Sequence, residues 1–348
     1  MLSGSVLDRI VEGEEGEMGP DPLQAWVEDV VRPDLVEEPA PGERRQAARV
    51  DALLADGLKA LLHDRRFQRL EALWRGVDFL VRRVETDARL GIWLVDVSKE
   101  ALAADLAAAD SGGGSAFARM VREGAGPQGD RWSVLAATWT VGSGAEDLVA
   151  LRRTARVCAA TGTAFLAGAE PALAGLPALA EADERGAWGE PERLWEAFRR
   201  EPEAGSVGLL IPRFLLRLPW GSEHDPCTAL DFEEIDGIPS PEDYLWGSPA
   251  LAATLLLAGA FRKAEGLDLW RALELEVGGL PLHVHRESGQ AVATPCTEVA
   301  LTENAARRFM EGGLMPFVWP RGQDGIRLLR WQSVASPPTR IAGPWGDG

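Results

Sequence analysis

Four apolar runs of strand length alternate along this chain with segments of helical periodicity, and this alternation narrows the possible folds more than any other feature. The runs are RLGIWLVDV at residues 89–97, WSVLAATWTV at 132–141, AFLAGA at 164–169 and VGLLI at 207–211. Continuous hydrophobicity suits strands covered on both faces. Strands separated by helices predict a largely parallel sheet with helices packed on it. The fold class expected is mixed α/β: a central sheet flanked by helices, plus a second α+β portion.

The helical segments carry their own signals. Val50, Leu53, Leu54, Gly57, Leu58, Leu61 and Leu62 follow i, i+3, i+4, i+7 spacing and predict a helix over 50–62. After His63 and Asp64 a second helix is expected. Phe67, Leu70, Trp74, Val77 and Val81 line one face of it, and six arginines (65, 66, 69, 75, 82 and 83) decorate the rest. Ser98 stands where an N-cap belongs before a helix over 99–109, and 116–122 reads as helical. Ser143 and Glu146 form an S-x-x-E capping box before a helix whose inward face carries Leu148, Leu151, Ala155 and Cys158. Pro191 opens a helix to about Arg200, with Leu194, Trp195 and Phe198 inward. Ser248 and Pro249 cap and start one to about Ala264, and the helix at 302–311 stops at Gly312 and Gly313. Short strands are expected near 269–277, 281–285, 315–319 and 326–331.

Residues 1–45 are acidic and proline-containing, which predicts a flexible acidic N-terminal arm with a short helix or strand near 23–31. Residues 336–348 read as a flexible C-terminal tail. Between them lie two α/β halves, 46–190 and 191–335. A hydrophobic share of 46% in 348 residues supports a large core, and most of the 13 Trp are expected inside it. No apolar stretch is long enough for membrane insertion, and the N-terminus lacks the basic start and apolar run of a signal peptide. Cys158, Cys227 and Cys296 stand far apart, as reduced thiols in a cytoplasm do. A net charge of -18 argues against nucleic acid and anionic membrane as partners. It reads either as solubility or as an acidic face that meets a basic partner.

Candidate chemistry is sparse. GAGPQG at 124–129 matches G-x-G-x-x-G, but with a helix before it and a strand after it, the reverse of what a dinucleotide needs. His283 and His285 share one face of a strand and could hold a metal with Glu287 or His224, or simply line a solvent-facing edge. Cys227 and Cys296 sit in proline-bearing loops with no sign of a lowered pKa. Asp231, Glu233 and Glu234 form a carboxylate cluster, but adjacent Glu233 and Glu234 point to opposite faces, so a solvated loop is expected. No catalytic, cofactor-binding or metal-ligating residue is assigned, and an enzyme is not expected.

Four strings in one order carry a resemblance. They are LLHDRRFQRLEALWRGVDFLVRRVET (61–86, continued by LVDVSKEALAADL at 94–106), LWEAFRREPEAGSVGLLIPRFLLRLPWG (194–221), DFEEIDGIPSPEDYLWGSPALAATLLLAGAF (231–261) and PCTEVALTENAARRFMEGGLMPF (295–317). With Gln332 and Ser333 they span roughly 50–338. Together they resemble the large subunit of the type VI secretion contractile sheath, the TssC/ImpC/EvpB family. The residues that match its signatures are Trp74, Arg75, Gly76, Pro212, Arg213, Arg217, Pro219, Trp220, Gly221, Trp246 and Gly247. Departures are GAGPQGDRW where the family has G-G-E-P-[YF]-G, ATGTAF (160–165) without the motif's histidine, and a chain that stops at Gly348 where the family continues.

The resemblance implies a contractile-sheath-like fold, no cofactor and a cytoplasmic structural subunit. The implied partners are a small sheath subunit (TssB-like), further copies of itself, an inner tube protein (Hcp-like) and baseplate components. The alternative is a sheath-derived scaffold or binding protein that does not polymerise. Arg213 and Arg217 flank an apolar run, either as ion-paired residues of a domain interface or as snorkelling arginines on a surface strand.

Overall fold

A computed structural model describes residues 40–110, 114–126, 129–184, 186–264 and 268–345. The chain divides into two units, 1–54 and 55–348. The described part of the first is residue 40 and the opening turns of helix α1 (Pro41–Leu62), whose later turns begin the second. The helix starts nine residues before the periodic stretch. Pro41 occupies its first position, where a missing N–H is harmless, and Glu43 accepts the Ala40 N–H at 2.9 Å. The expected arm therefore loses 41–45 to α1, while residues 1–39 lie outside the described residues. None of the α1 residues is buried, so the apolar stripe of the helix predicted over 50–62 does not face a core.

The second unit is built on a six-stranded sheet. Its strands are β1 (Val134–Val141), β2 (Ala164–Ala169), β3 (Val207–Ile211), β6 (Glu276–Val277), β9 (Leu314–Val318) and β10 (Ile326–Leu328), in the order β1-β2-β3-β9-β10-β6. β1, β2, β3 and β9 are parallel, and β10 and β6 add antiparallel. Two ribbons stand apart from it. β4 (Phe214–Leu215) pairs with β5 (Trp246–Gly247), and β7 (Val284–Glu287) with β8 (Gln290–Ala293).

Strand alternation explains why the sheet is covered on both faces. Phe165, Ala167, Val207, Leu209 and Ile211 meet one core, with Leu148, Leu151, Ala155 and Cys158 of α5 (Ala145–Thr161), Trp195 and Phe198 of α6 (Arg193–Phe198) and Phe309 of α9 (Glu303–Glu311). Ala164, Leu166, Leu210, Met315 and Phe317 meet the other, against α7 (Pro249–Ala264). α7 is apolar nearly all round because it lies between the sheet and α2 (Arg65–Arg83). The sheet draws strands from both sides of residue 190.

Gly208 of β3 leaves a hole in the second core. A Cβ there would stand 2.5 Å from Ile341 Cδ1 and 2.8 Å from both Leu166 Cδ2 and Met315 Cε. The stretch expected to be a flexible tail fills that hole. Ile341 is buried, the Ala342 N–H donates to the Gly205 carbonyl at 2.8 Å, and the Ser336 N–H donates to the Arg199 carbonyl at 2.7 Å.

Other expectations are corrected. Residues 89–97 form no strand. Leu90 and Ile92 lean on Leu80, Val84, Leu251 and Ala258, but among the described residues no strand pairs with the run, and a strand exists only when paired. The capping box at 143–146 is not made. Gly144 is the N-cap of α5 without a side-chain bond, and the Asp147 carboxylate instead accepts the Gly142 N–H (2.6 Å) and the Lys99 ammonium (2.5 Å). The Ser248 hydroxyl bonds to the Ala137 carbonyl, not to α7. The expected strand at 269–277 opens as a helical turn, α8 (Leu269–Ala272). Of the Trp side chains, those of Trp195, Trp246 and Trp331 are buried; most others described are half-exposed, because their ring edges cover the core margins. Ser98 does cap α3 (Lys99–Asp110), bonding the Ala101 N–H at 3.1 Å, and Ser115 caps α4 (Ala116–Glu123).

Candidate assembly site

Helix α2 is anchored at three points. Asp64 accepts the N–H groups of Arg66 (2.9 Å) and Phe67 (3.2 Å) and caps it. Gly76 faces α7, and a Cβ there would stand 2.6 Å from Leu251 Cδ1, so the glycine permits the two helices to approach. Glu71, between them, accepts from two arginines. Arg217 Nε donates to its Oε1 at 2.8 Å and Arg75 Nε at 2.7 Å.

Arg217 is the centre of a buried node. Its side chain is 7% exposed, and its two terminal nitrogens grip Glu234 at 2.6 and 2.8 Å. Glu234 also accepts the Trp220 N–H at 2.8 Å, and His63 Nε2, which has no hydrogen-bond partner, lies 3.8 Å away. Burial works against the charge on Arg217, but the Glu234 and Glu71 carboxylates outweigh it and hold its pKa above the ordinary value. Burial likewise opposes the charge of Glu71, and Arg217 and then Arg75 pull its pKa below the usual carboxylate value. The node ties α2 to the stretch after β4 and to residues 231–236. It settles the choice between ion pair and snorkelling for Arg217 in favour of the ion pair.

Glu234 is therefore not part of a solvated loop. Its neighbour Glu233 does point the other way. Glu233 is exposed, accepts the Ser222 N–H at 2.8 Å, and is held below its usual pKa by the Ser222 hydroxyl and amide.

The signature residues mostly converge here. Trp246 is buried and its indole N–H donates to the Pro241 carbonyl at 2.7 Å. Gly247 is packed where a Cβ would meet Leu216 Cγ at 2.8 Å. Pro219 and Gly221 are buried, Gly221 against Glu233, and Trp220 is half-buried. Pro212 is buried after a cis peptide bond to Ile211. Arg213 turns elsewhere, donating to both Glu298 oxygens at 2.9 and 2.6 Å beside a 340 Å³ crevice at the carboxyl ends of β1, β2 and β3. No histidine or cysteine lines that crevice. Sequence reasoning missed Glu71 and Glu298 and read Glu234 as part of a solvated loop, although all three lie inside the quoted strings.

With one side of α2 held inward, the other is left bare. Only Gly76 and Leu80 are buried, whereas Leu70, Leu73, Trp74 and Val81 are exposed, Trp74 by 59%. Of the apolar face read from the sequence, Leu70, Trp74 and Val81 thus look outward, beside exposed Arg65, Arg66, Arg69 and Arg82.

The family described as EvpB/VC_A0108, tail sheath N-terminal domain, matches residues 44–335. The chain belongs to this tail sheath family. A curated relative, the type VI secretion system sheath protein TssC1 of Pseudomonas aeruginosa, is 28% identical over 303 residues. The alignment takes in 83% of this chain, and the chain spans 61% of the relative's length. The type VI sheath resemblance read from the four strings is thereby supported. Among the described residues no helix is long and apolar enough to cross a membrane.

Cys158, Cys296 and His283 of this sheath-family chain are packed in its interior. Burial pushes the Cys158 thiol up to about 12 and the Cys296 thiol up to about 11. In the native protein iodoacetamide is expected to modify half-exposed Cys227 alone, and all three after urea unfolding, counted by intact mass. Buried Cys158 labelled at the rate of Cys227 would contradict this packing.

His283 is buried, 4% exposed, and does not line a solvent-facing edge. Its Nδ1 pairs with the Tyr244 hydroxyl at 2.7 Å, its ring meets His224 edge-on at 4.4 Å, and it stacks on His285 at 5.7 Å. Among the described residues no group of three His, Cys, Asp or Glu side chains is arranged to hold a metal. Burial, then the neighbouring His224 and His285, lowers the His283 pKa from 6.5 to about 4. The unfolded chain therefore takes up this proton first as pH falls. Stability is complete above pH 6.5 and declines towards pH 4, by up to about 3 kcal/mol at roughly 1.4 kcal/mol per unit. Urea titrations across this window are expected to show a shallower decline for His283→Gln; an unchanged slope would contradict the assignment.

Proposed function

We propose that this chain is a structural subunit of a type VI secretion contractile sheath and works by docking, not by catalysis. It pairs in the cytoplasm with a small TssB-like subunit, and the pairs stack with further copies around an Hcp-like inner tube that meets baseplate components. The observation that carries this reading is helix α2, clamped on one side by the Arg217 node and left apolar on the other, in a chain of the tail sheath family. A row of Leu, Trp and Val flanked by arginines has the make-up of an interface, since contiguous exposed apolar patches mark interaction sites. Trp74 serves it directly, and Arg75, Gly76, Arg217, Pro219 to Gly221, Trp246 and Gly247 hold its base, while Arg213 is tied to Glu298 away from it. Contacts that do not close on themselves build helical polymers, which is the assembly a sheath needs.

The test is co-expression with the small-subunit gene and negative-stain microscopy. Tubes are expected, and Trp74→Asp is expected to abolish them while leaving the chain folded. A one-to-one complex without tubes would favour the sheath-derived scaffold instead. Turnover of a substrate that depended on His283 or Cys227 would overturn the non-enzymatic reading.

A further inference from the structure

The crevice at the carboxyl ends of β1, β2 and β3 plays no part in the docking described above, and it has the build of a ligand site. Parallel α/β sheets take small ligands at this end of their strands. Its volume, 340 Å³, falls in the usual range of such pockets, about 300–1,000 Å³. Pro171, Pro177, Leu179, Ile211 and Pro249 give it apolar walls. Proline rings fix their own backbone, so these walls stand ready before anything binds.

Its charge follows from which groups are already paired. Arg213 donates to both oxygens of Glu298. Asp147 accepts from the Lys99 ammonium and the Gly142 N–H. Glu170 is left over. It lines the crevice and is exposed, and among the described residues its carboxylate has no hydrogen-bond or ion-pair partner. It also crowds Asp147. A Cβ on Gly142 would stand 2.7 Å from Asp147 Oδ2 and 3.0 Å from Glu170 Oε2. An unbalanced negative charge beside a second carboxylate repels an anion and attracts a cation.

We propose that this crevice binds a small organic cation, one ammonium or guanidinium group on a short aliphatic stem. The head meets Glu170 and the stem lies between the prolines. The basic side chain of another protein has the same chemistry but is the wrong source. Two ion pairs, Lys99–Asp147 and Arg213–Glu298, flank Glu170, and charged residues are depleted from the cores of protein interfaces.

The experiment titrates the full chain with n-butylguanidinium by calorimetry. Saturable one-to-one binding is expected, and none for the neutral n-butylurea or the anion pentanoate. Glu170→Gln is expected to weaken binding roughly tenfold or more. Glu170 bonds nothing, so the variant is expected to keep the wild-type urea midpoint. Glu123→Gln removes the same charge from an exposed position at the end of α4 and is expected to change nothing. Ala178→Phe, which fills the crevice, is expected to abolish binding, with the urea midpoint again checked. Absence of saturable binding overturns the proposal. So does equal weakening by Glu170→Gln and Glu123→Gln, which reduces the effect to loose attraction by a net charge of -18. Binding of n-butylurea or pentanoate as tight as that of the guanidinium overturns the choice of a cation. If a blocked Ala-Arg-Ala peptide binds while n-butylguanidinium does not, the crevice belongs to a protein side chain and the proposal also falls.

Discussion

Arg217→Met is expected to destabilise the protein by about 3–5 kcal/mol, read as a fall in the urea midpoint at unchanged slope. The substitution fills much of the same volume but strands two carboxylates. Glu234 is 2% exposed at its side chain and Glu71 is 12% exposed, and both lose the guanidinium that justified burying them. Arg217→Lys keeps the charge but cannot grip both carboxylates with a planar fork, so an intermediate loss is expected. The triple variant Glu71→Gln, Arg217→Met, Glu234→Gln removes all three charges and is expected to recover part of it. If Arg217→Met alone unfolded at the wild-type midpoint, the node would be an ornament and the fixed inner side of α2 would need another cause.

Trp195→Ala is expected to lose a similar amount, about 3–5 kcal/mol, by the same measurement. Trp195 is fully buried between α5, α6 and α9, its ring lies 6.0 Å from that of Phe198, and its indole N–H donates to the Gly312 carbonyl at 3.2 Å. Truncation leaves a cavity in that core. Trp195→Phe, which drops the hydrogen bond but keeps most of the volume, is expected to cost about 1–2 kcal/mol. Equal losses for the two variants would mean that the bond, and not the packing, holds this corner.

The sheet was legible wherever an apolar run ended at a strong breaker. β2 and β3 fall where the runs 164–169 and 207–211 fall, since Gly162 closes α5 before one and Pro212 stops the other. The inward face of α5 was legible from its period alone. The run at 89–97 has the same local character and was misread, because hydrophobicity reports what a segment can do and pairing depends on a neighbour. The exposed stripes of α1 and α2 fail for the same reason: an apolar face states that something covers it, not what. The capping box lost to Asp147 because Lys99, 48 residues away in sequence, draws that carboxylate to itself. The Arg217 node was half-legible. Its arginine was singled out, but its partners lie 146 and 17 residues away, and pairing over such separations leaves no periodic trace. The four strings did carry the family, because their order and register survive where single contacts cannot be read.

A glycine in a central strand, stoppered by an isoleucine more than a hundred positions later, makes one side of the sheet depend on a distant part of the chain. β3 can lie between its neighbours while that side keeps an open greasy notch, and only a seated Ile341 makes it watertight. Any species in which residues 336–342 have come away is therefore a sticky intermediate, and whatever shields it raises the yield of folded protein.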